Sequence, residues 1–228
     1  RNKFRKNYKN INLKELKFLE TKYKDLFIYN LTNYATSVEG SLFKIKELEK
    51  KIFKKKKINL NEIKSNLNDC RQLGIIPFSI LARHAFAAKE ILNSLVRLKI
   101  FSPKDLEFIE NNNNTITKEF LIDLKKCSLK KIKFSEFLDR YGHLRPGTYD
   151  LSSKNYKEIY KKNTQNKNYK IKIGGLKKIL LHLKNKKKKV NTLLKKEKIP
   201  INFEKLINYI LQSISGREYA KFVFSRCI

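Results

Sequence analysis

Pro77-Phe78-Ser79-Ile80-Leu81-Ala82-Arg83-His84-Ala85-Phe86-Ala87-Ala88-Lys89-Glu90-Ile91-Leu92-Asn93-Ser94-Leu95-Val96-Arg97-Leu98-Lys99 is the clearest helical pattern in the chain. Phe78, Leu81, Ala85, Ala88, Leu92 and Leu95 fall on one stripe, while Ser79, Arg83, Glu90, Asn93 and Arg97 face elsewhere. On its N-terminal side, residues 11–36 and 38–57 repeat helical spacing, as in Leu42, Ile45, Leu48 and Ile52. Asn59 or Asn61 caps a further helix that runs to Leu73, and Gly74 closes it. On the C-terminal side, Ser102-Pro103 is a helix start, with serine as cap and proline at the first helical position. The Asn111–Asn114 run ends that helix, and another spans Thr117 to Lys126. Ser135-Glu136-Phe137-Leu138-Asp139 opens a short helix with an acidic first turn that should stop at Gly142.

Beyond it come a polar stretch over 152–168 and one short strand, Tyr169-Lys170-Ile171-Lys172-Ile173. Gly174-Gly175 then leads into helices over 176–197 and 203–226. The expected fold is all-α: an irregular multi-helix bundle with at most a minor β element. Its β content is too low for a Rossmann or sandwich fold. No repeat, sustained heptad or Gly-rich phosphate loop is present. The expected division is an N-terminal helical segment, 1–58, and one continuous helical unit, 59–228.

Composition narrows the class. Hydrophobic residues make up 41% and aromatics 11% of the 228 residues, too many for a disordered chain. No apolar run approaches the roughly 18–20 residues of a membrane span. The chain has no methionine and opens on Arg1-Asn2-Lys3 with no signal-peptide pattern, so it reads as a piece of something longer. Cys70, Cys127 and Cys227 are odd in number, far apart and never in a C-x-x-C pair. Neither a zinc site nor a disulfide framework is supported, which fits a reducing, cytoplasmic setting. His182 sits in an apolar helical run and reads as a packed structural histidine.

The net charge of +32 raises a nucleic-acid reading. Most of that charge is lysine, enriched together with Asn, Ile, Phe and Tyr, whereas a phosphate-gripping surface draws on arginine for its bidentate fork. The runs Lys54–Lys57 and Lys186–Lys189 read as solvated helix ends or loops.

The densest chemistry lies in Tyr141-Gly142-His143-Leu144-Arg145-Pro146-Gly147-Thr148-Tyr149-Asp150. With the preceding helix ending at Gly142, His143 and Arg145 are the first side chains of the loop. Pro146-Gly147 favours a tight turn that folds Tyr149 and Asp150 back toward them. Such a group can hold an anion. Arg145 would grip a carboxylate or phosphate, His143 would donate a hydrogen bond or move a proton, and Asp150 would orient either one. The plainer alternative is that Asp150 and Arg145 pair to fix the loop while His143 caps a carbonyl.

This motif, continued by Leu151-Ser152-Ser153, resembles one found in phosphoenolpyruvate synthase-like proteins, relatives of pyruvate, phosphate dikinase and rifampin phosphotransferase. The stretch Gly74 to Phe86 is similar to the helix that precedes the motif there. Arg217-Glu218-Tyr219-Ala220-Lys221-Phe222-Val223-Phe224-Ser225-Arg226 is similar to the segment closing the helical region. Order and separation agree, so the resemblance covers about residue 60 to the end. It implies a machine with an ATP-grasp domain, a swivelling domain carrying a phosphohistidine, and a region that receives the phosphoryl group and binds a small-molecule acceptor. This chain resembles that acceptor-side helical region. ATP and Mg are implied for the whole enzyme, with no cofactor in this chain, no membrane and no nucleic acid as partner. Catalytic roles fall to His143 and Arg145, and substrate binding to Tyr149, Asp150, Arg83 and His84. Arg83 and His84 are adjacent on the strongest helix, so they point about 100° apart and only one of them faces a pocket. Arg217 and Glu218 are expected to form local ion pairs. Where relatives continue Ser-Pro-Arg-Tyr, this chain reads Ser153-Lys154-Asn155-Tyr156, which removes one candidate anion clamp.

Two other classes make different predictions. A basic helical nucleic-acid module would gather Lys54–Lys57 and Lys186–Lys189 on one face with exposed aromatics. A structural spacer would place Arg145 and Asp150 in a closed pair with no cavity beside them.

Overall fold

A helix of 22 residues, Phe203–Phe224, is the axis around which the other elements pack. Ile207, Tyr209, Ile210, Ala220 and Val223 point to several sides of it and all are buried, the pattern of a helix surrounded by its neighbours. The computed structural model describes residues 12–54, 60–145, 152–160 and 174–227.

In chain order, α1 is Leu13–Thr32, α2 Gly40–Lys54, α3 Leu60–Asp69 and α4 Ile76–Arg97. Next come α5 Pro103–Asn112, α6 Ile116–Ser128, α7 Phe134–Tyr141 and the one-turn α8 Tyr156–Ile159. The chain closes with α9 Leu176–His182, α10 Lys187–Lys196 and α11 Phe203–Phe224. The all-α class holds, with no strand among the described residues. The expected strand Tyr169–Ile173 lies outside them.

The stripe read on Pro77–Lys99 is the main seam. Leu81, Ala85, Ala88, Leu92 and Leu95 of α4 are buried against α11, while Ser79, Arg83, Glu90, Asn93 and Arg97 are exposed. Val38, Ile45 and Leu48 join the same core, so residues 38–48 share one hydrophobic centre with α4 and α11. Outside this core, α1 leaves Leu13, Phe18, Tyr23, Leu26 and Tyr29 exposed.

Side-chain caps set several starts. Ser102 and Asp105 form a capping box at α5, as Ser102-Pro103 foretold, and Asn12 with Glu15 form another at α1. Asn202 accepts from the Lys205 amide at the head of α11.

Two boundaries differ from the sequence pattern. Gly74 does not end a helix. The chain passes from α3 through a wide π-type turn, Cys70–Ile75, straight into α4. The reasons lie in the neighbours. Pro77 cannot donate to the carbonyl four residues back, and the wide turn absorbs that missing bond. A Cβ on Gly74 would stand 2.8 Å from the Phe224 Cβ and 2.9 Å from Leu48 Cδ2. Glycine is there because three helices approach closely, not to supply a left-handed cap. The helix expected over 176–197 is also interrupted, by a tight turn at Lys184–Lys186. Leu183 and Val190 are both fully buried, and the break lets each of the flanking helices face the core.

Candidate functional site

α7 brings the motif to the C-terminal end of α11. Phe137 and Tyr141, one turn apart on α7, are buried together against Phe120 of α6, with ring centroids 5.1–5.2 Å apart. The buried Tyr141 hydroxyl donates to Asp123 Oδ2 at 2.9 Å. Lys126 and Arg140 donate to the same carboxylate at 2.9 and 3.0 Å. Burial alone would raise the Asp123 pKa, but these hydrogen bonds and charges outweigh it and hold the carboxyl below the usual aspartate range. Burial and the Asp123 bond push the Tyr141 phenol up. Tyr141 is therefore the anchor of the motif and not a reactive group.

α7 stops at Gly142, as expected, but with φ −62°. The glycine is required by space: a Cβ there would collide with the Leu138 carbonyl oxygen. The loop then folds back on α8. The amides of Lys157 and Tyr156 donate to the carbonyls of Gly142 and Leu144 at 3.0 and 2.9 Å. Arg145 Nε donates to the Ser153 carbonyl at 3.0 Å. Residues 142–145 are thus stapled to 153–157. Pro146, Gly147, Thr148, Tyr149 and Asp150, which these two flanks bracket, lie outside the described residues. Asn155 caps α8 with Glu158 in a capping box.

His143 is half-buried and its Nε2 lies 2.9 Å from the Phe222 carbonyl. A carbonyl only accepts, so Nε2 carries the hydrogen and the imidazole caps α11 near its end. Burial is the main force pushing its pKa down to about 4; the Phe222 carbonyl opposes this, and the charges of Arg226 and Arg145 add to it. His143 is neutral at pH 7. Of the two roles read from the sequence, the hydrogen-bond donor fits and the proton carrier near neutral pH does not. The same two arginines make the surroundings of His143 electropositive.

Arg226 completes the junction. Its Nη2 donates to the carbonyls of Asp139 and Arg140 at 2.6 Å each, clamping the last turn of α7 to the end of α11. With Arg140, Arg226 lines an open groove of about 610 Å³ whose other walls include Glu49, Glu119, Glu136 and Asp139. Tyr219 donates to Glu49 and Arg140 pairs with Glu119 on its walls. His143 and Arg145 do not line it.

The two other predicted site residues part company, as their helical spacing requires. Arg83 is exposed. His84 is turned into the core with 7% exposure, its Nδ1 3.0 Å from the Tyr209 hydroxyl. Burial lowers the His84 pKa and pushes that of Tyr209 up to about 12. His84 thus joins α4 to α11 and stands apart from the motif loop.

Arg217 and Glu218 act across elements. Arg217 lies over the Phe86 ring at 4.9 Å, and Glu218 accepts from the amide and hydroxyl of Thr117, capping the first turn of α6. With Lys89 and Lys221 they line a groove of about 360 Å³ between α4 and α11. His182 is structural in a specific way: it stacks on Phe108 at 3.8 Å and meets Asp105, the capping aspartate of α5, at 2.9 Å.

Of the two lysine runs, Lys54–Lys57 lies outside the residues whose side chains are described. In the other, Lys187, Lys188 and Lys189 are exposed, while Lys186 and Lys187 reach Asp105 and Glu204.

The Asp123 network, the Arg226 clamp and the Tyr219–Glu49 pair were not singled out by sequence reasoning. Asp123 sits in an ordinary amphipathic pattern, and only its neighbours in space mark it. Among the described residues no three His, Cys, Asp or Glu side chains are grouped to hold a metal ion, and no helix is long and apolar enough to cross a membrane. The chain matches no protein-family model, no curated protein and no solved structure.

Proposed function

We propose that this chain forms the helical acceptor-side region of a phosphoenolpyruvate synthase-like phosphotransferase, working with flanking ATP-grasp and swivelling phosphohistidine domains. One observation carries the reading. The three segments of the resemblance are far apart in sequence yet meet at one junction. Gly74 touches Phe224, His143 caps Phe222, and Arg226 clamps Asp139 and Arg140.

In this reading Arg145 is the group that touches the acceptor, gripping its carboxylate or the incoming phosphoryl oxygens. His143 is a positioning residue. Neutral and bonded through Nε2 to the α11 backbone, it fixes the loop from which Arg145 projects. Tyr149 and Asp150 keep the substrate-binding roles that the resemblance implies. ATP and Mg belong to the flanking domains.

The test is ATP-dependent phosphorylation of a small-molecule acceptor by the full-length protein that carries this chain. Arg145→Ala should abolish transfer with the fold intact, and His143→Gln should lower it less. Arg83→Ala should leave it unchanged. Transfer that survives Arg145→Ala at full rate overturns the assignment.

A further inference from the structure

We propose that the groove between α4 and α11 binds a small amphiphilic organic anion: a compact apolar or aromatic body carrying one phosphate or carboxylate head. The groove measures about 360 Å³, within the range of roughly 300–1,000 Å³ common to small-molecule sites. His143 and Arg145 do not line it. The site is thus distinct from the motif loop and owes nothing to the phosphotransferase reading.

Two pairs of side chains build it. On α4, Phe86 and Lys89 stand at i and i+3, and on α11, Arg217 and Lys221 stand at i and i+4, so each pair shares one helix face. A like-charged pair at that spacing works against its own helix. Lys89 adds a third cation from the other wall. Burial first, and then the charge of Arg217, lower the Lys221 pKa, so this cation stands close to another with part of its water removed. Arg217 makes no ion pair and no side-chain hydrogen bond among the described residues; its guanidinium lies over the Phe86 ring at 4.9 Å. Stacking of that kind leaves the N–H edge of the guanidinium for a two-oxygen acceptor.

Glu218 is the one carboxylate among the described lining residues, and it is already engaged. It accepts from the Thr117 amide and hydroxyl at 3.2 and 2.9 Å. Three cations therefore converge on a concave space whose own counter-charge is tied to the start of α6. This separates the groove from the lysines of α10, which stand exposed on a convex helix face. The apolar half of the ligand follows from the other lining residues. Phe86 is 62% exposed, and Ala85 and Ile214 add apolar surface beside it. A bare inorganic anion would leave that wall in water, whereas a ring or short hydrocarbon body would cover it.

The experiment is an NMR titration of the folded chain with phenyl phosphate, following the Thr117 amide and the Ile214 methyl resonances. Both should shift saturably. Arg217→Gln should weaken binding by about tenfold or more, through loss of a charge-assisted contact. Lys89→Gln, a change at an exposed position, should weaken it by about twofold to fivefold. Inorganic phosphate, which lacks the ring, should bind about tenfold more weakly than phenyl phosphate. Arg145→Ala should leave the titration unchanged. No saturable shift, equal affinity for inorganic phosphate, or binding indifferent to both Arg217→Gln and Lys89→Gln would each overturn the proposal. A shift abolished by Arg145→Ala would overturn it as well, by placing the anion at the motif loop.

Discussion

Replacing Gly74 with alanine puts a methyl group where two side chains already stand. It would lie 2.8 Å from the Phe224 Cβ and 2.9 Å from Leu48 Cδ2, against a comfortable carbon–carbon separation of about 3.5–4.0 Å. Neither neighbour has room to retreat. Leu48 is 2% exposed, and the Phe224 Cβ is fixed to the α11 backbone. Overpacking of this kind costs about 1–3 kcal/mol, partly offset by the roughly 0.5–1 kcal/mol that alanine gains over glycine in a helix. The net expectation is a loss of about 1–2 kcal/mol, or about 3–6 °C in Tm for a chain of this size. Gly40 is the matched control. It has a helical φ of −62° and nothing within 4 Å of its Cβ position. Gly40→Ala should therefore stabilise by about 0.5–1 kcal/mol. Urea unfolding of the two variants side by side reads the difference in sign. Equal stabilisation by both would refute the close approach of α2, α11 and the π-type turn.

Asp123→Asn should destabilise by about 1–3 kcal/mol, because Tyr141, Arg140 and Lys126 lose a shared charged acceptor; equilibrium unfolding at neutral pH measures it. The folded Asp123 pKa is lowered, so its contribution is present above the unfolded value of about 3.9 and is lost as pH falls through the lower folded value. The variant should flatten that part of the acid-unfolding curve. His143 acts in a higher window. Its folded pKa of about 4 lies below the unfolded value near 6.5, so the unfolded chain binds the extra proton and stability falls as pH drops through that interval. His143→Gln should remove this slope; an unchanged slope would show that His143 is not held neutral in the fold.

The helical class was legible because α4 and its neighbours follow the 3.6-residue period closely enough to separate Leu81 and Leu92 from Arg83 and Asn93. Capping chemistry is equally local, which is why Ser102-Pro103 and Gly142 stood out. Gly74 misled because a glycine after an apolar run carries the same local signal whether it caps a helix or admits a neighbour. Only the approach of Phe224 tells the two apart. The motif loop divided along similar lines. Residue types picked out His143, but its neutral state depends on burial and on Arg226, far away in sequence. That Arg83 and His84 point apart was legible from helix geometry, but that His84 is the one turned inward, onto Tyr209, was not. Cysteine spacing spoke against a disulfide framework, and Cys70, Cys127 and Cys227 are all free thiols.

The account rests on an anion site at the loop that His143 fixes and Arg145 serves. Titrating the chain with inorganic phosphate while following the His143 imidazole resonances by NMR addresses it directly. A saturable shift that disappears in Arg145→Ala and persists in Arg83→Ala is the predicted result. No saturable shift in the parent chain, or one that Arg145→Ala leaves intact, would contradict it.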